Sequence, residues 1–340
     1  MKKILYIILF FILFAVLIKF LVSCEDRANQ PAQDEVAPQR TVLLEDTDMT
    51  SVTVYFASED KRYLVPVNVN INATKEVAKV ALEKLLAGPT APGLSPVLPQ
   101  ETKLLDVYGL GQTVVVDFTD EFTSIPEEDA ALAIDAVLAT VLPLADEYTL
   151  TIMVRDYVLD DFYGLTEDMP FGEIYVNPVE DIPADDGSRA AVYYLPEQNG
   201  MYLTPLTFFL PNDSGAEAAG DQDAAVYAAL QTARAVADKL TAGPPKGSSL
   251  LSVFSPGLRV LDMDLNEGIL YVDFSKEILD YGGGASLENM LVDSIVYSFC
   301  AIDGIDAVQI LVEGETMDYF PEGREAGAPI APQHPVNSII

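Results

Sequence analysis

An internal repeat is the feature that most constrains how this 340-residue chain folds. Four segments recur in the same order: Tyr63–Pro66 as Tyr202–Pro205, Leu85–Pro89 as Leu240–Pro244, Leu105-Asp106 as Leu261-Asp262, and Val116–Phe122 as Val272–Ile278. The spacing between the copies grows after the first pair, which places an insertion in the second copy around residues 210–223. Self-similarity at this scale indicates duplicated structural units. The sequence therefore predicts two homologous domains, residues 51–183 and 190–320, joined by a polar linker.

Each copy contains the same series of local patterns, which predicts the element order β-β-α-β-β-α-β. In the first copy, Thr74 is placed to cap a helix that runs to Ala87. Gly88 fits the left-handed residue after that helix, and Pro89 prevents its continuation. In the second copy, Ser286 is the predicted cap of the second helix. The fold class is α+β, with helices on one face of a small sheet.

The N-terminal residues predict an exported lipoprotein. Lys2 and Lys3 precede an apolar run, which closes on Leu21-Val22-Ser23-Cys24. This pattern is typical of a bacterial lipoprotein signal in residues 1–23, with the Cys24 thiol accepting the lipid. The alternative is an uncleaved membrane anchor, which the apolar length also permits. Both interpretations place the rest of the chain on the extracytoplasmic face of a membrane, with residues 24–50 as a flexible tether.

Charge and composition exclude several functions. The chain has 19 basic and 53 acidic residues and a net charge of −34, which argues against a nucleic-acid partner. It has one histidine, His334, and two cysteines, so the sequence predicts no metal site and no cofactor. After lipidation of Cys24, only Cys300 remains, and its apolar surroundings favour a buried, unreactive thiol. His334 lies in residues 321–340, which the composition predicts to be a disordered tail.

The repeated motifs resemble those of the GerM-domain family of sporulation and spore germination proteins. The resemblance rests on a Leu-rich helix ending in Gly-Pro, on Val-Asp-Phe-Ser/Thr-x-Glu, and on the last strand Val308–Gly314. The first copy departs from this pattern at Thr151–Asp156, which lacks the final Glu-Gly. The resemblance implies ring-building-motif-like domains without catalysis. It also implies membrane tethering through the lipid, with self-association or an envelope protein complex as the partner.

The motif residues are predicted to be structural. They are Gly88, Pro89, Asp117 and Phe118 in the first copy, and Gly243, Pro244, Asp273 and Phe274 in the second. The two aspartates are the candidates for a general acid/base pair, which must share one substrate. Because they belong to different domains, the repeat argues against catalysis. An aspartate beside a strand end also accepts backbone N–H groups and fixes a turn.

Two other functions remain open from the sequence. The first is a lipoprotein that binds a small ligand between its two domains, with Tyr193, Tyr194 or Tyr202 lining the pocket. The second is a hydrolase that uses carboxylates alone, which would lose activity in Asp273→Asn. The acidic pairs Asp160-Asp161 and Asp185-Asp186 lack the spacing of a Ca²⁺ loop. Gly282–Gly284 predicts a mobile loop rather than a phosphate cradle.

Overall fold

The structure, a computed structural model, describes residues 49–145, 149–159, 162–163, 174–183, 187–212 and 221–339. Cys24, Asp160-Asp161 and Asp185-Asp186, together with the signal and most of the tether, lie outside these residues. Within the described ranges, no helix combines the length and the apolar character needed to span a membrane. Residues 41–340 form one compact unit.

The first half of the described chain, residues 49–183, has seven strands and two helices. Its elements are β1 (Met49–Ser58), β2 (Leu64–Thr74), α1 (Val77–Ala87), β3 (Leu94–Ser95), β4 (Leu104–Leu110), β5 (Thr113–Phe118), α2 (Glu127–Val141), β6 (Thr149–Val154) and β7 (Tyr157–Val158). A 3₁₀ turn, Asp120–Ser124, separates β5 from α2.

The second half, residues 187–339, repeats this series. Its elements are β8 (Ser188–Pro196), β9 (Leu203–Pro211), α3 (Asp221–Ala242), β10 (Val260–Asn266), β11 (Ile269–Phe274), α4 (Gly284–Cys300), β12 (Ala307–Val312), β13 (Glu315–Thr316) and β14 (Ser338–Ile339). The predicted order β-β-α-β-β-α-β is therefore confirmed in both halves, with short strands added.

Each half divides its strands between a hairpin and a separate four-stranded sheet, rather than forming one small sheet. The sheets have the orders β4-β5-β6-β7 and β10-β11-β12-β13. In both, the strands before and after the second helix are parallel, and the remaining neighbours are antiparallel. The hairpin β1–β2 is extended by β3 and β14 to a sheet of order β14-β2-β1-β3, whereas the hairpin β8–β9 forms a two-stranded sheet.

The helices join each hairpin to its sheet through a core of its own. Phe118, Phe122 and Val137 are fully buried in the first core, and Phe274 and Ile295 occupy the second. This separation into two cores follows from the repeat, because each copy carries its own complete set of apolar positions.

One main-chain bond illustrates how closely the halves agree. The Tyr55 N–H donates to Thr140 Oγ1 at 3.2 Å, and the corresponding Tyr194 N–H donates to Ser298 Oγ at 2.8 Å. In each half, a hydroxyl on the second helix therefore accepts a main-chain N–H from the first strand of the hairpin.

Both predicted helix caps are wrong. Thr74 is the last residue of β2, and α1 begins three residues later without a side-chain cap. Ser286 lies inside α4, because the helix already begins at Gly284. Gly88 does adopt a positive φ of 76°, but its ψ of 172° places it outside the left-handed helical region. This extended conformation is accessible essentially to glycine alone.

The prediction that residues 321–340 form a disordered tail is also wrong. Ile330 pairs with Val308, at main-chain distances of 2.8 and 2.9 Å. Further along, β14 adds to the first half as a strand parallel to β2, in register with Asn68 and Val69. The end of the described chain therefore crosses from the second half to the first.

Candidate functional site: the repeated motif and the seam between the halves

Asp117 and Asp273 each hold a tight turn at the end of their sheet. Asp117 is 4% exposed, and its Oδ2 accepts the Asp156 N–H at 3.1 Å. Asp273 Oδ1 accepts the Gly314 N–H at 2.8 Å. The two carboxylates lie in different sheets, each satisfying a turn of its own half. Each contact is local to its own half, and the second oxygen of Asp117, Oδ1, is buried without a hydrogen-bond partner among the described residues.

The turns themselves are equivalent, although the first copy lacks Glu-Gly. Arg155 and Asp156 have φ of 50° and 66°, and Glu313 and Gly314 have φ of 52° and 83°. Two successive positive φ values are typical of the two-residue hairpin turn that matches strand twist. Both halves therefore make the same edge hairpin, β6–β7 and β12–β13.

The remaining positions of Val-Asp-Phe-Ser/Thr-x-Glu also have local structural roles. Thr119 Oγ1 accepts the Lys103 N–H at 3.1 Å, and Ser275 Oγ accepts the Arg259 N–H at the same distance. The Thr119 hydroxyl, followed by the residue's own N–H, lowers the pKa of the Glu121 carboxyl. The Ser275 hydroxyl acts in the same way on the pKa of the equivalent glutamate in the second half. The motif thus ties the end of the central strand to its neighbours.

The apolar and Gly-Pro positions are structural as well. Phe118 is fully buried and stacks on Phe122, with ring centroids 4.8 Å apart. Phe274 is 2% exposed. Gly88 and Gly243 share a φ of 76°, and the prolines that follow them end the first helix of each half.

The candidate reactive residues are not brought together. Burial, and then the Asp306 charge, raise the pKa of the Cys300 thiol to about 11, which disfavours the nucleophilic thiolate. His334 is exposed, and its backbone carbonyl accepts the Tyr297 hydroxyl at 2.9 Å. In the part of the chain that the structure covers, no three His, Cys, Asp or Glu side chains are grouped as metal ligands.

The three candidate tyrosines have different surroundings. Tyr193 is buried in the second core, at 2% exposure. Tyr194 packs against Tyr297, with ring centroids 6.2 Å apart. Tyr202 lines a cavity of about 380 Å³ that Asn289 and Asn337 also border.

A contact that the sequence analysis missed joins the two halves, and we call it the seam. It consists of the facing segments Leu64–Asn68 of β2 and Leu203–Thr207 of β9, bridged by Asn177 and Asn337. Asn177 donates from Nδ2 to the carbonyls of Leu64 and Pro205, at 2.7 and 2.8 Å. Its Oδ1 accepts the Leu64 N–H at 2.8 Å, and its backbone carbonyl accepts the Thr207 N–H at 3.2 Å.

Asn337 makes the mirror set of bonds. Its Nδ2 donates to the carbonyls of Leu203 and Pro66, at 2.8 and 2.7 Å. Its Oδ1 accepts the Leu203 N–H at 2.8 Å, and its backbone carbonyl accepts the Asn68 N–H at 3.3 Å. Each asparagine therefore binds one strand of its own half and one of the other. The four bonds of Asn177 become the four bonds of Asn337 when the two halves are interchanged. The seam therefore has local two-fold symmetry.

The seam explains the repeated Tyr-Leu-x-Pro segment. Leu64 and Leu203 supply the groups that the asparagines bind, while Pro66 and Pro205 offer carbonyls but no N–H. The asparagine amide takes the place of a neighbouring strand at these positions. Both asparagines have a positive φ, 51° and 54°, which asparagine tolerates better than most residues.

The loops of the two hairpins extend the seam at both ends. The Tyr202 hydroxyl donates to the Pro92 carbonyl at 3.0 Å, and the Arg62 guanidinium donates to the Gly247 carbonyl. Each hairpin loop therefore contacts the segment that follows the first helix of the other half. The two halves are therefore in direct contact along the seam and through both hairpin loops.

Comparison with known proteins agrees with this architecture. The model of the Germane family, described as sporulation and spore germination, matches residues 53–154 and 192–318. The spore germination protein GerM of Bacillus subtilis strain 168 is 22% identical over 320 residues, covering 86% of this chain and 80% of that protein. The solved structure of the tandem GerMN domains of the sporulation protein GerM from Bacillus subtilis has 21% identity and a TM-score of 0.61. It covers 85% of this chain and 99% of that one. The likeness to this structure establishes the fold.

Proposed function

Because the chain belongs to the Germane family of sporulation and spore germination proteins, we propose that it is a non-catalytic lipoprotein that acts as a structural component in one of these processes. In this proposal, Cys24 carries the lipid and residues 25–340 lie on the extracytoplasmic face of the membrane. The folded unit contributes to an assembly, either with itself or with an envelope protein.

The observation that carries the proposal is the use of the repeated motif. Asp117 and Asp273 each accept a turn N–H in their own half. The hydroxyls of Thr119 and Ser275 each accept an N–H from the adjacent strand. The residues that recur in both copies, which are the first candidates for shared chemistry, are therefore engaged in shaping the fold. Because function must be argued from a site, and the recurring residues form no shared site, a scaffold is favoured over an enzyme.

The test is an in-frame deletion in the source organism, followed by counts of heat-resistant colonies beside a vegetative growth curve. We expect normal growth with a large loss of resistant spores, and recovery on complementation with the intact gene. An unchanged count of resistant spores would contradict a role in sporulation.

The two cysteines provide a matched pair for testing the lipid anchor. Metabolic labelling with palmitate should mark the wild-type chain and the Cys300→Ser variant but not Cys24→Ser. The same two variants should differ when each is expressed in the deletion strain. Cys300→Ser should restore the count of heat-resistant spores, and Cys24→Ser should not. Label that persists in Cys24→Ser would exclude this residue as the lipid acceptor.

A second candidate function is ligand binding by the same exported unit. The cavity of about 380 Å³ beside Tyr202 favours it, since the side chains of Asn289 and Asp293 also border that space. A rise in melting temperature with soluble wall fragments, abolished in Tyr202→Ala, would support this function over a purely structural one.

A further inference from the structure

The seam is a recognition site for a short extended segment. The groups that bind Asn337 all belong to the main chain. They are the N–H and C=O of Leu203, the C=O of Pro66 and the N–H of Asn68. The inserted segment supplies an asparagine with positive φ, preceded by valine in both copies. A short β-type pairing follows, with β14 on β2 and Pro178 on Thr207.

Two segments fill the two equivalent copies of this site in the same way. Val176-Asn177-Pro178-Val179 precedes the second half, whereas Val336-Asn337-Ser338-Ile339 follows it. Both asparagines make three side-chain bonds of 2.7 to 2.8 Å to leucine and proline main-chain groups. Each segment follows the last sheet strand of its own half, so the two insertions are equivalent under the repeat and share the Val-Asn pattern.

The segment that carries Asn337 is weakly attached before it reaches the seam. We call residues 331–339 the strap. Residues 331–335 are all exposed, and between the pairing of Ile330 with Val308 and the seam the Tyr297 hydroxyl donates one hydrogen bond to the His334 carbonyl, at 2.9 Å. An open cavity of about 1260 Å³ is lined by strap residues and by Asp293 and Tyr297 of α4. A segment exposed above open space leaves its position without displacing a packed core.

We propose that the strap is an exchangeable strand, and that the seam of a second copy of this chain is its alternative acceptor. Every bond that Asn337 makes to Leu203 and Pro66 within one chain is available on a second copy, and no new surface is required. Strand exchange of this kind converts an intramolecular contact into an intermolecular one at little cost in contacts. Local concentration then decides between the closed monomer and the exchanged dimer. The inference goes beyond the proposed function and does not depend on it.

The first test uses a synthetic peptide of residues 331–340, labelled with fluorescein, and residues 41–340 of the protein, which form one compact unit. In the Asn337→Ala protein, the chain's own strap competes poorly. We therefore expect the peptide to bind this variant about tenfold more tightly than the wild-type protein in an anisotropy titration. A matched peptide with Asn337→Ala should show no saturable binding. Equal binding of both peptides would overturn the proposal.

The second test changes the reach of the strap. Deletion of Ala331–Gln333 shortens the connection between the Ile330 pairing and Asn337 by up to about 10 Å of extended chain, which disfavours the closed form. We expect light scattering after size exclusion to give a dimer for this variant. The same deletion combined with Asn337→Ala should give a monomer. A monomeric deletion variant would refute exchange, and if the deletion prevents folding, the peptide titration decides the question.

Discussion

The seam makes a quantitative prediction at Asn177. The Asn177→Ala substitution removes three side-chain hydrogen bonds, of 2.7, 2.8 and 2.8 Å. It leaves three main-chain groups without their side-chain partner: the N–H and C=O of Leu64, which is 1% exposed, and the C=O of the buried Pro205. At about 0.5–1.5 kcal/mol for each bond, the loss lies between roughly 1.5 and 4.5 kcal/mol. Alanine at a φ of 51° adds about 1 kcal/mol of backbone strain.

We therefore expect Asn177→Ala to lower the free energy of unfolding by about 3 kcal/mol or more. Urea titration of residues 41–340, followed by circular dichroism, measures the difference from the shift in midpoint. Asn177→Gly separates the two contributions, because it loses the same bonds without the strain. The control is Asn72→Ala, an exposed position on β2, which should change stability by less than about 0.5 kcal/mol. A loss below about 1 kcal/mol in Asn177→Ala would refute the role assigned to the seam bonds.

Three further predictions follow from individual side chains. Asp117→Ala removes the side-chain acceptor of the Asp156 N–H in an exposed turn, so it should cost about 0.5–1.5 kcal/mol in urea titrations, and more than Asp273→Ala, because Asp117 is buried and Asp273 is half-buried; equal costs would contradict this. Burial raises the pKa of Glu197 above its ordinary 4.5, so its contribution to stability is present below pH 4.5 and is lost as pH rises through the raised pKa. Glu197→Gln should therefore be more stable than the wild type at pH 7, and this gain should shrink at pH 4. The Cys300 thiol, with a pKa of about 11, should react slowly with Ellman's reagent at pH 8 and rapidly once urea unfolds the chain; fast reaction of the folded chain would show an accessible thiolate.

The repeat made most of the fold predictable, because the recurring residues occupy the same positions and make matching contacts in both halves. The recurrence of Val-Asp-Phe-Ser/Thr-x-Glu predicts a structural role for Asp117 and Asp273, and in the structure each accepts a turn N–H of its own half. Comparison of the copies worked here because the bonds are local to each sheet.

The helix starts were not predictable from capping residues alone. Thr74 has the chemistry of a cap, but the pairing of β2 continues through it, and its Oγ1 accepts the nearby Glu76 N–H instead. Ser286 likewise has cap chemistry, but glycines at positive φ begin α4 before it. In both cases the flanking backbone decided the boundary.

The seam was missed although the sequence carries a signal for it. Val-Asn recurs at residues 176–177 and 336–337, with a proline or serine and then a β-branched residue following. Two identities within loops of different composition do not stand out from chance. Moreover, Asn337 acts through main-chain groups of Pro66, 271 positions away, and no local pattern reports such a contact.

This last contact sets the order in which the protein can be completed. While the first half folds, one edge of β2 lacks its partner, because Ser338 of β14 pairs with Asn68, 270 positions earlier in the chain. Contacts of such long sequence separation form late and slowly. The first half therefore keeps an unpaired edge on β2 until the strap arrives, and during that interval this edge is open to pairing with other chains.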